Sequence, residues 1–140
     1  WSPMAEQVAT AAFLQQDDVV DASLLHTRNG IYERLQLIYQ GIQRLKDASY
    51  PVEAIAPQAA MYLTLRFSLK GKKYKGQILA NTEDMSSFLI REAGLAMVPF
   101  AAFGADPESE WYRLSVGTCH TACIPSMLQK LQEALDCLGG

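Results

Sequence analysis

The chain has 140 residues and a mass of 15.5 kDa, the size of one ordinary domain that can bury a core without staples. Apolar residues make up 49% and charged residues 19%, which excludes wholesale disorder. The net charge of −3, from 12 Lys+Arg against 15 Asp+Glu, argues against a nucleic-acid partner, which calls for a basic excess or stripe.

Pro3 fits a first helical position, with Ser2 as its cap. Met4 to Gln15 is rich in Ala, Leu, Gln and Glu, all good helix formers. Asp17 or Asp18 predicts the cap of a second, much longer helix reaching about Ala48. Its Ile31, Leu35, Ile38, Ile42 and Leu45 recur at gaps of 4, 3, 4 and 3, an apolar stripe along one face. Gly30 and Gly41 inside it mark bends or close packing.

From Val52 the pattern turns to strand. Met61, Leu63, Leu65 and Phe67 alternate with Tyr62, Thr64 and Arg66, as in a half-buried strand. Lys70 to Gly76 reads as a polar, solvated loop bracketed by glycines. Asn81 predicts a helix cap with Glu83 and Asp84 in the first turn, and Gly94 the residue that ends that helix. Leu95 to Pro99 reads as a short apolar strand, Phe100 to Glu110 as a loop, and Trp111 to Gly117 as a strand. A last helix starts near Pro125, with Ile124, Met127, Leu128, Leu131, Leu135 and Leu138 as its stripe and Gly139-Gly140 at its end.

The order is α-α-β-α-β-β-α. It predicts an α/β (α+β) two-layer fold, a small, mixed but mostly antiparallel sheet covered by helices, with a long N-terminal helix. Residues 1–48 form a helical lead-in and 49–140 an α/β core. No apolar run is long enough to span a bilayer, so no membrane partner is expected. Three cysteines, Cys119, Cys123 and Cys137, without a secretory leader point to reduced thiols in a cytoplasmic protein. A start at Trp1-Ser2-Pro3, with no Met and no basic leader, reads as a fragment or processed chain.

Few residues carry a chemical signal. Cys119, His120 and Cys123 lie close in sequence, but zinc needs a fourth ligand and the spacing offers none. Cys119 or Cys123 as a nucleophile with His120 lacks an orienting third group. His26 lies among Leu24, Leu25 and Arg28, a helix-surface setting. The glycines fall at turns and match no phosphate-cradling pattern. Arg113 differs, because it sits between Tyr112 and Leu114 in an apolar strand. Its guanidinium must reach solvent or meet an anion, and a bidentate carboxylate site is the second of these two readings.

Three stretches resemble the C-terminal part of class I/II aminotransferases, the fold-type I enzymes that use pyridoxal phosphate. They are Pro57-Gln58-Ala59-Ala60-Met61-Tyr62-Leu63; Glu92-Ala93-Gly94-Leu95-Ala96-Met97-Val98-Pro99 followed by Ala102-Phe103-Gly104; and Tyr112-Arg113-Leu114-Ser115. The closing Gln132-Glu133-Ala134-Leu135 is also similar, and the order matches along essentially all 140 residues. Ala59 and Phe100 depart from the glycines common in the family. The resemblance implies a single C-terminal small domain, residues 1–140, of a cytoplasmic homodimeric enzyme. That enzyme would move an amino group between an amino acid and a 2-oxo acid. It implies that Arg113 holds the substrate α-carboxylate. The family's Schiff-base lysine and its other cofactor ligands lie upstream, and Lys46, Lys70, Lys72, Lys73, Lys75 and Lys130 stand in none of their contexts. This chain alone is therefore expected neither to bind pyridoxal phosphate productively nor to transaminate. The same fold also hosts C–S lyases, decarboxylases and acyl-condensing synthases. A non-catalytic module that binds a small carboxylate or a protein is the reading from another class.

Overall fold

The computed structural model describes residues 3–139; the cap expected at Ser2 and the end expected at Gly140 lie outside them. Helix α1 spans Met4–Leu14, and Pro3 is its N-cap rather than its first helical residue. Helix α2 spans Asp17–Asp47. Gln16 takes its cap position without a side-chain capping bond, so Asp17 and Asp18 act as first-turn charges on the helix dipole, not as caps. Its far end closes on Ser49, at φ 68. There the Ser49 N–H donates to the Lys46 carbonyl at 2.9 Å and the Tyr50 N–H to Leu45 at 3.0 Å. This is the double bond of a Schellman cap with serine in the place glycine usually takes.

The stripe on α2 is real: Leu35, Ile38, Ile42 and Leu45 are buried, and Ile31 packs partly against them. Gly41 lies in the same row because a Cβ there would overlap the Leu128 side chain of the last helix. A Cβ at Gly30 would make only an ordinary contact with Arg34 Nη2 at 3.9 Å, so close packing explains only one of the two glycines.

Four strands form one sheet: β1 (Val52–Ala54), β2 (Tyr62–Phe67), β5 (Val98–Pro99) and β6 (Trp111–Ser115), in the order β1-β2-β6-β5. Every pairing is antiparallel. In the central pair, Leu63 faces Leu114, Thr64 faces Arg113 and Leu65 faces Tyr112. Strand side chains alternate between faces. Val52, Ala54, Leu63, Leu65, Phe67, Tyr112 and Leu114 therefore enter one core with α2, α3 and α4. Glu53, Thr64, Arg66, Trp111 and Arg113 stay half-buried on the other face. Strand β5 keeps only Val98 and Pro99 of the Leu95–Pro99 run, and a 3₁₀ turn, Phe100–Phe103, follows at once.

The Lys70–Gly76 segment is not a plain loop. It folds into a hairpin of β3 (Lys73–Tyr74) and β4 (Gln77–Ile78). Lys75 and Gly76 turn it at φ 48 and 81, both left-handed as a tight hairpin turn requires. The Tyr74 ring meets Phe88 edge-on at 5.0 Å, which gives a charged segment an apolar anchor. Helix α3 (Thr82–Ala93) is capped reciprocally: Asn81 Oδ1 accepts from the Asp84 N–H at 2.9 Å, and Asp84 Oδ2 accepts from the Ala80 N–H at 3.0 Å. It ends at Gly94, φ 65. Helix α4 (Ile124–Asp136) carries Pro125 in its first turn and buries Ile124, Leu131, Ala134 and Leu135.

The accessible surface is 9069 Å², against about 7,200 Å² for a compact monomer of this mass. The excess has a visible source, since α1 buries no residue and the first half of α2 exposes Val19, Leu24 and Leu25.

Tyr112 is the largest fully buried side chain and meets the Phe67 ring edge-on at 5.9 Å. Ser86 lies beside its phenol, but that hydroxyl donates to the Thr82 carbonyl at 2.7 Å. Among the described residues the Tyr112 hydroxyl is left without a partner in hydrogen-bond geometry. Burial pushes the phenol above its ordinary value, so the fold favours its protonated form.

Two outcomes follow for stability. Leu65→Ala is expected to lower unfolding free energy by about 2–5 kcal/mol in chemical denaturation; a loss below about 1 kcal/mol contradicts this core. Tyr112→Phe removes an unpaired hydroxyl and is expected to stay within about 1 kcal/mol of the parent at pH 7, or above it. A raised phenol stabilises fully below the ordinary tyrosine value, about 10, and loses that contribution as pH climbs through the raised one. The parent's melting temperature should thus fall more steeply than the variant's above about pH 10, and superimposable profiles would count against it.

Candidate functional site

Arg113 lies on the half-exposed face of β6, directly across from Thr64 on β2 and from Val98 on β5. Two rings flank its guanidinium. The Tyr62 centroid is 4.5 Å from Cζ and the Phe103 centroid 4.3 Å. Tyr62 comes from β2, where it pairs with Ser115, two residues beyond Arg113. That diagonal is within reach of long side chains on one face of a sheet. Phe103 comes from the 3₁₀ turn after β5. As β2 and β5 border β6 on opposite sides, the rings approach the cation from its two flanks.

The second arginine on this face shows what is unusual about the first. Arg66 ion-pairs with Glu110 at 3.3 Å and Glu53 at 3.8 Å, and its guanidinium stands 6.0 Å from the Trp111 ring. Glu110 also accepts from the Ser68 hydroxyl at 3.0 Å. Arg113 forms no ion pair with any carboxylate among the described residues. Its charge is covered by ring faces alone, which leaves the N–H edge of the guanidinium free for an anion.

Tyr62 also walls an apolar groove of about 600 Å³ between α2 and the Pro57–Met61 segment, lined by Leu24, Ile31, Leu35, Pro57 and Met61. Ala59 lies in that wall. The groove and the arginine thus share one aromatic side chain.

The remaining candidates do not join this site. Cys119, His120 and Cys123 lie on the turn before α4, and among the described residues no cluster of His, Cys, Asp or Glu could hold a metal ion. Burial, helped by the neighbouring Cys123 thiol, pushes the Cys119 thiol up, the wrong direction for a nucleophile. Its carbonyl accepts from Arg34 Nη1 at 3.0 Å, a structural tie from α2. His26 is exposed on α2.

An imine-forming cofactor needs an amine beside the substrate and donors for its phosphate. Lys46, Lys70 and Lys75 are held by Glu53, Glu108 and Glu92. Lys72 and Lys73 lie at the hairpin and Lys130 on α4. The strands β2 and β6 and the 100–104 turn carry no lysine. The residues that build this site do not fit pyridoxal phosphate.

Sequence reasoning singled out Arg113 and missed its flanking rings. Alternation already set Tyr62 on the Arg66 face, but only the register of β2 against β6 shows that Arg113 lies there too. Phe103 gave no periodic signal, being placed by a turn that Gly104 closes at φ 86.

The chain matches the model of the family described as aminotransferase class I and II over residues 1–131. A probable aspartate/prephenate aminotransferase of Rickettsia prowazekii is 35% identical over 92 residues, 64% of this chain and 20% of that protein. The chain therefore spans about a fifth of the curated relatives it matches. Among solved structures, the aspartate aminotransferase from Rhizobium meliloti superposes with a TM-score of 0.65 at 25% identity, covering 79% of this chain and 26% of that one. An alpha-aminoadipate aminotransferase from Thermus thermophilus, complexed with N-(5'-phosphopyridoxyl)-L-leucine, reaches 0.71 at 20% identity over 96% of this chain and 31% of that one. That last likeness is one of fold.

Proposed function

This chain belongs to the class I and II aminotransferases, and from that premise we propose that it supplies the substrate-carboxylate arginine, Arg113, of a pyridoxal-phosphate aminotransferase. The observation that carries the reading is an arginine with no carboxylate partner among the described residues, held between Tyr62 and Phe103 on the face of the sheet away from the core. A guanidinium makes two parallel hydrogen bonds to a carboxylate, fixing orientation as well as charge. Orientation matters where the bond to be broken must line up with an electron-accepting cofactor. The lysine and phosphate donors for that cofactor belong to residues outside this chain. The substrates are an amino acid and a 2-oxo acid.

In this reading the chain is the C-terminal small domain of the enzyme, with 1–48 as a helical lead-in and 49–140 as its α/β core. Support for a domain of a larger enzyme comes from the exposed start of the chain, although the core itself reaches back across residue 48 into α2. Buried side chains begin on α2 at Leu35, while Met4, Val8, Leu14, Leu24 and Leu25 are exposed upstream of it. Such a surface suits packing against the rest of an enzyme or a second subunit, and the assembly we propose is a homodimer. No helix among the described residues is long and apolar enough to cross a membrane, and the compartment we propose is the cytoplasm.

In the enzyme that carries this chain, Arg113→Lys keeps the charge and loses the fork. Its kcat/KM is expected to fall by the equivalent of about 2–5 kcal/mol in transition-state binding; an unchanged value would sink the assignment. This chain by itself, mixed with pyridoxal phosphate and an amino acid, is expected to give no turnover, and measurable 2-oxo acid production contradicts the placement of the cofactor ligands elsewhere.

A further inference from the structure

We infer that Tyr62 and Phe103 are positioning residues, an aromatic clamp that holds the Arg113 guanidinium so that only its N–H edge meets a carboxylate. The inference rests on the reading of Arg113 as the carboxylate site. It adds the two side chains that give that arginine its direction.

The clamp is built from three elements. Arg113 projects from β6, Tyr62 from the first position of β2, and Phe103 from the last position of the turn after β5. Both ring centroids lie within 4.5 Å of Cζ, well inside the range of cation–π attraction. An arginine side chain is long and loses rotamer freedom when it binds. Rings on both flanks restrict it beforehand, so less freedom is lost when a carboxylate arrives.

Phe103 is itself fixed. The Gly104 N–H donates to the Ala101 carbonyl at 3.1 Å and the Ala105 N–H to Phe100 at 3.3 Å. The Phe100 and Phe103 rings meet at 6.2 Å. The turn therefore sets where the second ring stands, and Gly104, at φ 86, is the residue type that conformation favours. The Arg66 site on the same face lacks this arrangement. It has one ring, at 6.0 Å, and two carboxylates, a neutralised structural pair rather than an open receptor. Tyr62 is 40% and Phe103 50% exposed, so neither ring holds the core together and either can be replaced without unfolding the chain.

The test is read on this 140-residue chain by nitrogen-15 NMR of the arginine Nε–H groups. Sodium acetate is added as probe at constant ionic strength. Arg113 should show a ring-current displacement that the exposed Arg91 of α3 lacks, and a saturable shift with acetate. Tyr62→Leu and Phe103→Leu should each reduce the ring-current displacement and weaken acetate binding about 2- to 5-fold, the equivalent of one surface cation–π contact. Tyr62→Phe should keep both signatures. Parent-like acetate binding in both leucine variants overturns the clamp and leaves the carboxylate reading standing. A parent Arg113 signal that does not respond to acetate overturns the carboxylate reading, and the clamp with it.

Discussion

The antiparallel pairing of β2 with β6 sets which side of the sheet Arg113 and Tyr62 occupy. Its register places Leu65 opposite Tyr112 and Thr64 opposite Arg113. Because side chains alternate with a period of two, a slip of one residue would turn Arg113 toward the helices and Tyr112 toward solvent. Burying an unpaired guanidinium costs several kcal/mol, and exposing Tyr112 gives up the largest buried ring. The apolar core thus holds the arginine on the opposite face, although it never touches it.

The other elements serve that pairing. Helix α2 lays Leu35, Ile38, Ile42 and Leu45 against the core, and Gly41 admits Leu128 so that α4 approaches closely. The caps of α3 keep its ends ordered where it packs against α4. On the open face, Arg66 is neutralised by Glu53 and Glu110, while the Arg113 charge meets two aromatic rings and no carboxylate among the described residues. The contrast lies in the partners: one arginine contributes to a surface ion-pair network, the other keeps its hydrogen-bonding edge.

Much of this was legible before the structure. The 4-3-4-3 stripe on α2, the Asn81 cap, Gly94 and the alternation of Leu63, Leu65 and Phe67 are local patterns, with physical causes within a few residues. Arg113 stood out because a charge within an apolar strand needs an explanation. The misses arose where distant residues decide the outcome. Lys73 and Tyr74 form a strand because Tyr74 anchors on Phe88 of α3, which local charge hides. Asp17 looks like a cap, but the helix starts one residue early and Gln16 takes that place. Tyr62 and Phe103 meet Arg113 from separate strands, a relation that no spacing along the chain encodes.

In the proposed site Arg113 grips a substrate carboxylate on the outer face of the sheet. A crystal structure of the enzyme that carries this chain, with its amino acid substrate or an unreactive analogue bound, tests it most directly. Both carboxylate oxygens are expected within about 3 Å of the Arg113 guanidinium nitrogens, with Tyr62 and Phe103 still on its flanks. A carboxylate bound elsewhere, with Arg113 turned to solvent or paired with a protein carboxylate, contradicts it.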